Sequence, residues 1–247
     1  MTHRPYPKPA TPWVMRQSWH DLLFMHWRVP ADVLRPLIPP GLELDTYDGS
    51  AWIAVVPFRM SDVAPRFVPA MPGLSAFPEL NVRTYVVRDG RPGVWFFSLD
   101  AGNRLAVSIA RAWFHLPYYH AAIALSETSE GIAYASRRIH SGARPAELRL
   151  RYRPAGPVFN AQPGSLEWFL TARYCLYIQG LPTNDQTYIR NAPLQRAEIE
   201  HPAWPLQLAE AEIEMNTMTN PVGIALPHAP PLLHFVRRID VVVWNPA

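Results

Sequence analysis

The chain has 247 residues, 17% charged and 49% hydrophobic, with a formal net charge of +3. At roughly 150 residues per domain this is about one and a half units, a length that one all-β barrel or sandwich often fills. Twenty-eight prolines exclude long helical bundles and coiled coils, since an interior proline costs a helix about 3 kcal/mol, and the single cysteine excludes a disulfide framework and cysteine-based metal sites.

Residues 1–12 read as a flexible proline-rich arm, and residues 13–247 as one domain without linker, charge block or repeat. The N-terminus lacks the apolar h-region of a signal peptide. The longest uncharged stretch, Met215 to Val236, carries Pro221, Pro227, Pro230 and Pro231, which no lipid-exposed helix tolerates. The expectation is a cytoplasmic protein with no membrane partner. One lysine, Lys8, stands against twenty-two arginines. Genome base composition can produce that bias; alternatively, some arginines bind carboxylate or phosphate through their planar fork. They are scattered and accompany no recognition motif, so no nucleic-acid partner is expected.

In chain order, Leu22 to Val29 is large at every position, as in a strand covered on both faces. One face carries Leu22, Phe24, His26 and Arg28, and the other Leu23, Met25, Trp27 and Val29. Pro30 to Leu37 suits a short helix with proline near its first turn. Residues 42–47 and 51–60 read as a hairpin around Asp48-Gly49, and residues 61–78 as a loop. Glu79 to Val87 is a strand whose faces differ. Leu80, Val82, Thr84 and Val86 share one face; Glu79, Asn81, Arg83 and Tyr85 share the other. A turn over residues 88–93 leads into a strand over 94–99.

Asp100 is a plausible N-cap for a helix over residues 103–114, on which Leu105, Ile109 and Trp113 share a face before Pro117 stops it. Further strands are expected near residues 119–125, 132–139, 147–152, 173–179, 190–200, 209–215 and 233–244, with a short helix over 165–171. The fold class that results is β-rich α+β: an antiparallel, barrel-like sheet with two or three short helices.

No G-x-S-x-G, G-x-G-x-x-G or Walker A spacing occurs, and no H-x-x-x-H pattern, so neither cofactor nor metal is expected. Cys175, alternating with Arg173 and Tyr177, reads as a buried structural thiol. The polar face of residues 79–85 has two readings. It faces solvent, or it lines a barrel interior, where a buried glutamate and arginine must be paired or used.

The strings Leu22 to Val29, Leu37 to Asp45, Phe77 to Val86, Gly93 to Asp100, Ser165 to Tyr174 and Leu232 to Phe235 together resemble one bacterial family, the uncharacterised YqjF-like proteins. This family, a domain of unknown function, is counted with the acetoacetate-decarboxylase-like superfamily. The resemblance covers the chain from Trp13 and implies a cone-like β-barrel around a ligand cavity. Decarboxylases carry a motif similar to Ala110 to Tyr119. Arg111 and Pro117 match it, Ala112 replaces a glutamate, and Tyr118 and Tyr119 stand where lysines would, one of them the Schiff-base former. A further catalytic glutamate of that superfamily lies in a segment similar to Phe77-Pro78-Glu79.

These readings imply a small oxygenated or anionic metabolite bound inside the barrel. Glu79 is then the base or ligand acceptor, and Arg28, Arg83 and Arg111 are candidates to grip an anion. Tyr85, Tyr118 and Tyr119 are donors to a carbonyl, and His26 and Asn81 are further ligand contacts. If the protein is an enzyme, the surviving residues allow proton transfer next to a carbonyl without covalent catalysis, of a lyase or isomerase type. Two alternatives stand beside this: a non-catalytic carrier or sensor, and a structural or interaction barrel filled by its own side chains. Self-association into a homo-oligomer is left open.

Overall fold

The structure, a computed structural model, describes residues 3–180 and 192–247. In chain order the elements are β1 (Met15–Val29), α1 (Ala31–Leu34), β2 (Glu43–Leu44), β3 (Ala51–Pro65), β4 (Phe77–Arg88) and β5 (Arg91–Ala101). They continue with α2 (Arg104–Phe114), β6 (Tyr118–Thr128), β7 (Gly131–Arg138), β8 (Glu147–Pro154), α3 (Leu166–Thr171), β9 (Cys175–Ile178), β10 (Gln195–Glu200), β11 (Gln207–Asn216) and β12 (Leu232–Val243). Among the described residues no helix is long and apolar enough to cross a membrane.

The twelve strands of the described residues form one sheet that closes on itself. β12, β1, β3, β4 and β5 run side by side, and β9 and β10 return from β5 to β12 to complete a ring. β6, β7, β8 and β11 form a second arch from β5 back to β12, laid over the outer face of the shared strands. The shared strands are therefore buried on both sides. Phe24, Val56, Phe96 and Val236 enter the inner cluster, while their chain neighbours Met25, Val55, Trp95 and Phe235 enter the outer one with Tyr134, Leu148 and Tyr152. That double burial explains why Leu22 to Val29 has no small or polar side. Most pairings are antiparallel, as expected, but β5 pairs parallel with both β6 and β9, and these contacts close the two arches.

Several local expectations need correction. The turn at Asp48-Gly49 forms, with Tyr47 and Ser50 bridged, but β2 pairs with β4 rather than folding back on β3. β3 extends to Pro65 and β4 begins at Phe77, so the loop is shorter than residues 61–78. The cap of α2 is Asn103, whose side chain accepts from the Leu105 and Ala106 amides. Asp100 instead lies buried in β5, gripped bidentately by Arg138 at 2.8 and 2.7 Å. The strand expected over residues 190–200 begins at Gln195; Arg190 lies outside the described residues. The arm is not free at its start either. Arg4 is buried, pairs with Glu198 and Glu200, and donates to the Ile199 carbonyl at 2.6 Å.

Ring closure leaves little room at Gly93, opposite β9. A Cβ there would fall 2.7 Å from Cys175 Sγ and 2.8 Å from the Cys175 carbonyl oxygen. Gly93→Ala is expected to destabilise the protein by about 1–3 kcal/mol, read as a lower urea midpoint. An unchanged midpoint would contradict the close approach of β5 and β9.

Candidate functional site

The ring encloses a cavity of about 360 Å³, within the size range of ligand pockets. Among the described residues, side chains leave this part of the ring's interior open. Most of the wall is apolar, including Phe58, Met60, Phe96 and Leu99; the polar wall is the face of β4 that alternation singled out. Glu79, Asn81 and Arg83 line the cavity and are buried, so this face is interior rather than solvated. Tyr118, at the start of β6, joins them. Its hydroxyl donates to Glu79 Oε2 at 2.9 Å. The Glu79 main chain is held from the outer arch, where the Tyr134 hydroxyl donates to its carbonyl oxygen at 2.8 Å.

Glu79 and Arg83 are not a pair. Four residues of strand separate them, about 13 Å of chain, and no carboxylate lies within ion-pair distance of Arg83 among the described residues. The Arg83 guanidinium instead lies 5.2 Å from the Phe24 ring centre and 5.9 Å from that of Tyr85. Its Nε, and the side-chain oxygen of Asn81, are buried without a hydrogen-bond partner among the described residues. Burial pushes the Glu79 carboxyl up to about 8; the Tyr118 hydrogen bond opposes that rise, and the Asp100 charge adds to it.

The remaining candidates do not line the cavity. Tyr119 follows Tyr118 on the same strand, so it points to the opposite face; it is buried with the Arg138 guanidinium 4.1 Å over its ring. Arg111 donates to the Tyr118 carbonyl at 2.8 Å and acts on the wall only through that backbone. Arg28, near the end of β1, is exposed and lies over Trp52. His26 and Tyr85 are buried behind Arg83 and share a hydrogen bond of 2.7 Å. Burial and the Arg83 charge hold His26 well below the usual histidine range, so it stays neutral.

Two features escaped the sequence reading. Arg173, just before β9, lines the cavity, donates to Asp45 at 2.5 Å and sits 5.0 Å from the centre of the Tyr85 ring. Its signal was an arginine set among apolar residues at a helix–strand junction, where only tertiary structure tells inside from outside. The second is α2. Its Ile109 and Trp113 line the cavity yet are 44% and 52% exposed, and Met71 beside them is 50% exposed. These residues mark the mouth. No group of three or more His, Cys, Asp or Glu side chains is placed to hold a metal among the described residues.

Glu79 makes stability depend on pH in a definite direction. Above its ordinary value of 4.5 the unfolded chain has released this proton, while the folded protein keeps it until about 8. Stability therefore falls as pH rises through that window and levels off above it. Glu79→Gln removes this component, so the variant's melting temperature should gain on the wild type between about pH 5 and about pH 8. Parallel melting profiles would contradict the burial of an ionisable Glu79.

Comparison with known proteins fits this architecture. The chain is 47% identical over 232 residues to the uncharacterised protein YqjF of Bacillus subtilis (strain 168), covering 94% of this chain and 91% of that one. It superposes on an acetoacetate decarboxylase-like enzyme from Sphingomonas wittichii RW1 with a TM-score of 0.63 and 17% identity, over 100% of this chain and 97% of that one. The enduracididine biosynthesis enzyme MppR, complexed with pyruvate, gives 0.61 and 14% identity, over 96% of this chain and 90% of that one. At such identities the solved structures establish a shared acetoacetate-decarboxylase-like fold. The model of the DUF2071 family, described as an uncharacterised conserved protein, matches residues 16–240, and the chain belongs to that family.

Proposed function

We propose that the cavity binds a small oxygenated or anionic metabolite, and that Glu79 exchanges a proton with it without covalent catalysis. The observation that carries this reading is a buried polar wall left incomplete by the protein itself. Among the described residues Arg83 Nε and the Asn81 oxygen have no partner, and both residues face an open cavity. Leaving a buried polar group unsatisfied costs about 1–3 kcal/mol, a cost that a ligand's oxygen atoms would remove. The pyruvate bound by MppR, a protein of the same fold, agrees with an oxygenated ligand.

A carboxyl that titrates near 8 is suited to give and take protons close to neutral pH. At pH 7 it is mainly protonated, with a minor ionised share. The ionised Glu79 would take a proton from the carbon next to a carbonyl, the electron pair moving onto the carbonyl oxygen as an enolate. Returning that proton to a different atom completes an isomerisation. Burial and the adjacent Glu79 keep the Tyr118 phenol protonated, so it remains a hydrogen-bond donor throughout. Imine chemistry has no lysine to run on, because the only one, Lys8, is exposed in the N-terminal arm.

A thermal-shift screen against small oxo acids, hydroxy acids and esters tests binding. A ligand at a hundred times its Kd adds about 2.7 kcal/mol, a rise of roughly 5–10 °C in a chain of this size. Proton transfer is then read as deuterium exchange from heavy water into the bound compound. Glu79→Gln should abolish the exchange and keep the thermal shift. Undiminished exchange in that variant would remove Glu79 from the chemistry, and binding without exchange in the wild type would make the protein a carrier or sensor.

A further inference from the structure

We propose, resting on the binding-site reading above, that the cavity takes a linear amphipathic carboxylic acid head-first. Its carboxylate pairs with Arg83 at the closed end, and its apolar chain runs past Glu79 to the mouth beneath α2. Strand register fixes the order of these groups along the cavity. On β4, Glu79 lies opposite Phe58 of β3, Asn81 opposite Val56, and Arg83 opposite Ala54. Followed the other way, β3 runs out to Met60 and Pro65, where it meets the start of β1 at Met15. Lining residues at that outer end include the exposed Met71, Ile109 and Trp113; toward the other end, Phe96, opposite Arg83 on β5, and Val94, opposite Tyr85, are buried. The cavity is therefore a shaft with Arg83 at its base and Glu79 nearer its opening.

Charge identifies what the base would hold. Arg173 is neutralised by Asp45, His26 is neutral, and Tyr85 is a phenol that burial keeps protonated. Glu79 stands four residues up the strand. Arg83 is left as a buried cation with no counter-charge from the described residues, an arrangement that favours an anion entering from outside. The shaft above it, with Phe58, Phe96 and Leu99, offers hydrocarbon contact and few polar groups.

The mouth continues that character. No acidic residue occurs between Asp62 and Glu79 or between Asp100 and Glu127, the two segments that frame it. An exposed apolar rim on a cavity of this kind marks a passage for an apolar group. The atom presented to Glu79 would then be a chain carbon remote from the carboxylate, not the carbon beside it.

Calorimetric titration of the full chain with straight-chain carboxylates from butanoate to dodecanoate, and with the matching alcohols, tests this. Affinity should rise about fourfold per added methylene while the new carbon lies within the shaft, then level off as the tail emerges at α2. Each acid should bind at least about tenfold more tightly than its alcohol, and Arg83→Met should erase that difference while retaining alcohol binding. Ile109→Asp, on the exposed rim, should weaken only chains long enough to reach it; this arm decides the matter if Arg83→Met fails to fold. Length-independent affinity, or equal binding of acids and alcohols, would overturn the proposal. Tight binding of short oxo acids alone would overturn it and leave the small-metabolite reading standing, whereas no binding by any carboxylate, short or long, would sink both.

Discussion

A guanidinium inside an apolar barrel needs a partner, and the partner of Arg83 is what the rest of the structure makes scarce. The five shared strands are packed on both faces, so β4 cannot turn its polar side to water. The same packing holds Glu79 near neutrality, spaced along the strand from Arg83 and hydrogen-bonded to Tyr118 instead. Nearby, Asp45 is already committed to Arg173. A purely structural interior would gain by replacing these groups with well-packed hydrocarbon. Their presence around a cavity is the physical reason to read the site as made for something other than stability.

How much of this was legible in the sequence depended on how local the cause was. Unbroken bulk from Leu22 to Val29 announced double burial, and the alternation from Glu79 to Tyr85 announced a strand with one polar face. The side to which that face turned was not legible, because it depends on ring closure through β9 and β10, nearly a hundred residues along the chain. The parallel pairings of β5 escaped for the same reason. Asn103 rather than Asp100 caps α2 because the helix begins at Arg104, while Asp100 lies within β5 and is bound by Arg138, 38 residues away. Of adjacent Tyr118 and Tyr119, strand geometry allows only one to face the cavity, a constraint that could have been applied to the sequence directly.

The acetoacetate-decarboxylase-like fold is built here by a chain whose single lysine, Lys8, lies in the N-terminal arm. Where the resemblance implies lysines, the chain carries Tyr118, which serves Glu79, and Tyr119, which serves the Arg138–Asp100 pair. One of these adjacent tyrosines thus hydrogen-bonds at the cavity wall while its neighbour packs in the core of the same strand. What happens in such a cavity depends on the side chains that line it rather than on the shared fold.

The interior position of Glu79 and its strand face underlies the cavity and both of its charged groups, and the most direct test of it is the titration of that one carboxyl. In protein carrying 13C-labelled glutamate, with Glu79→Gln used to assign the signal, NMR should follow a midpoint near 8 for Glu79. A midpoint near the ordinary 4.5 would mean that the face is solvated, and the cavity, the proton-transfer role and the anion site at Arg83 would lose their common support.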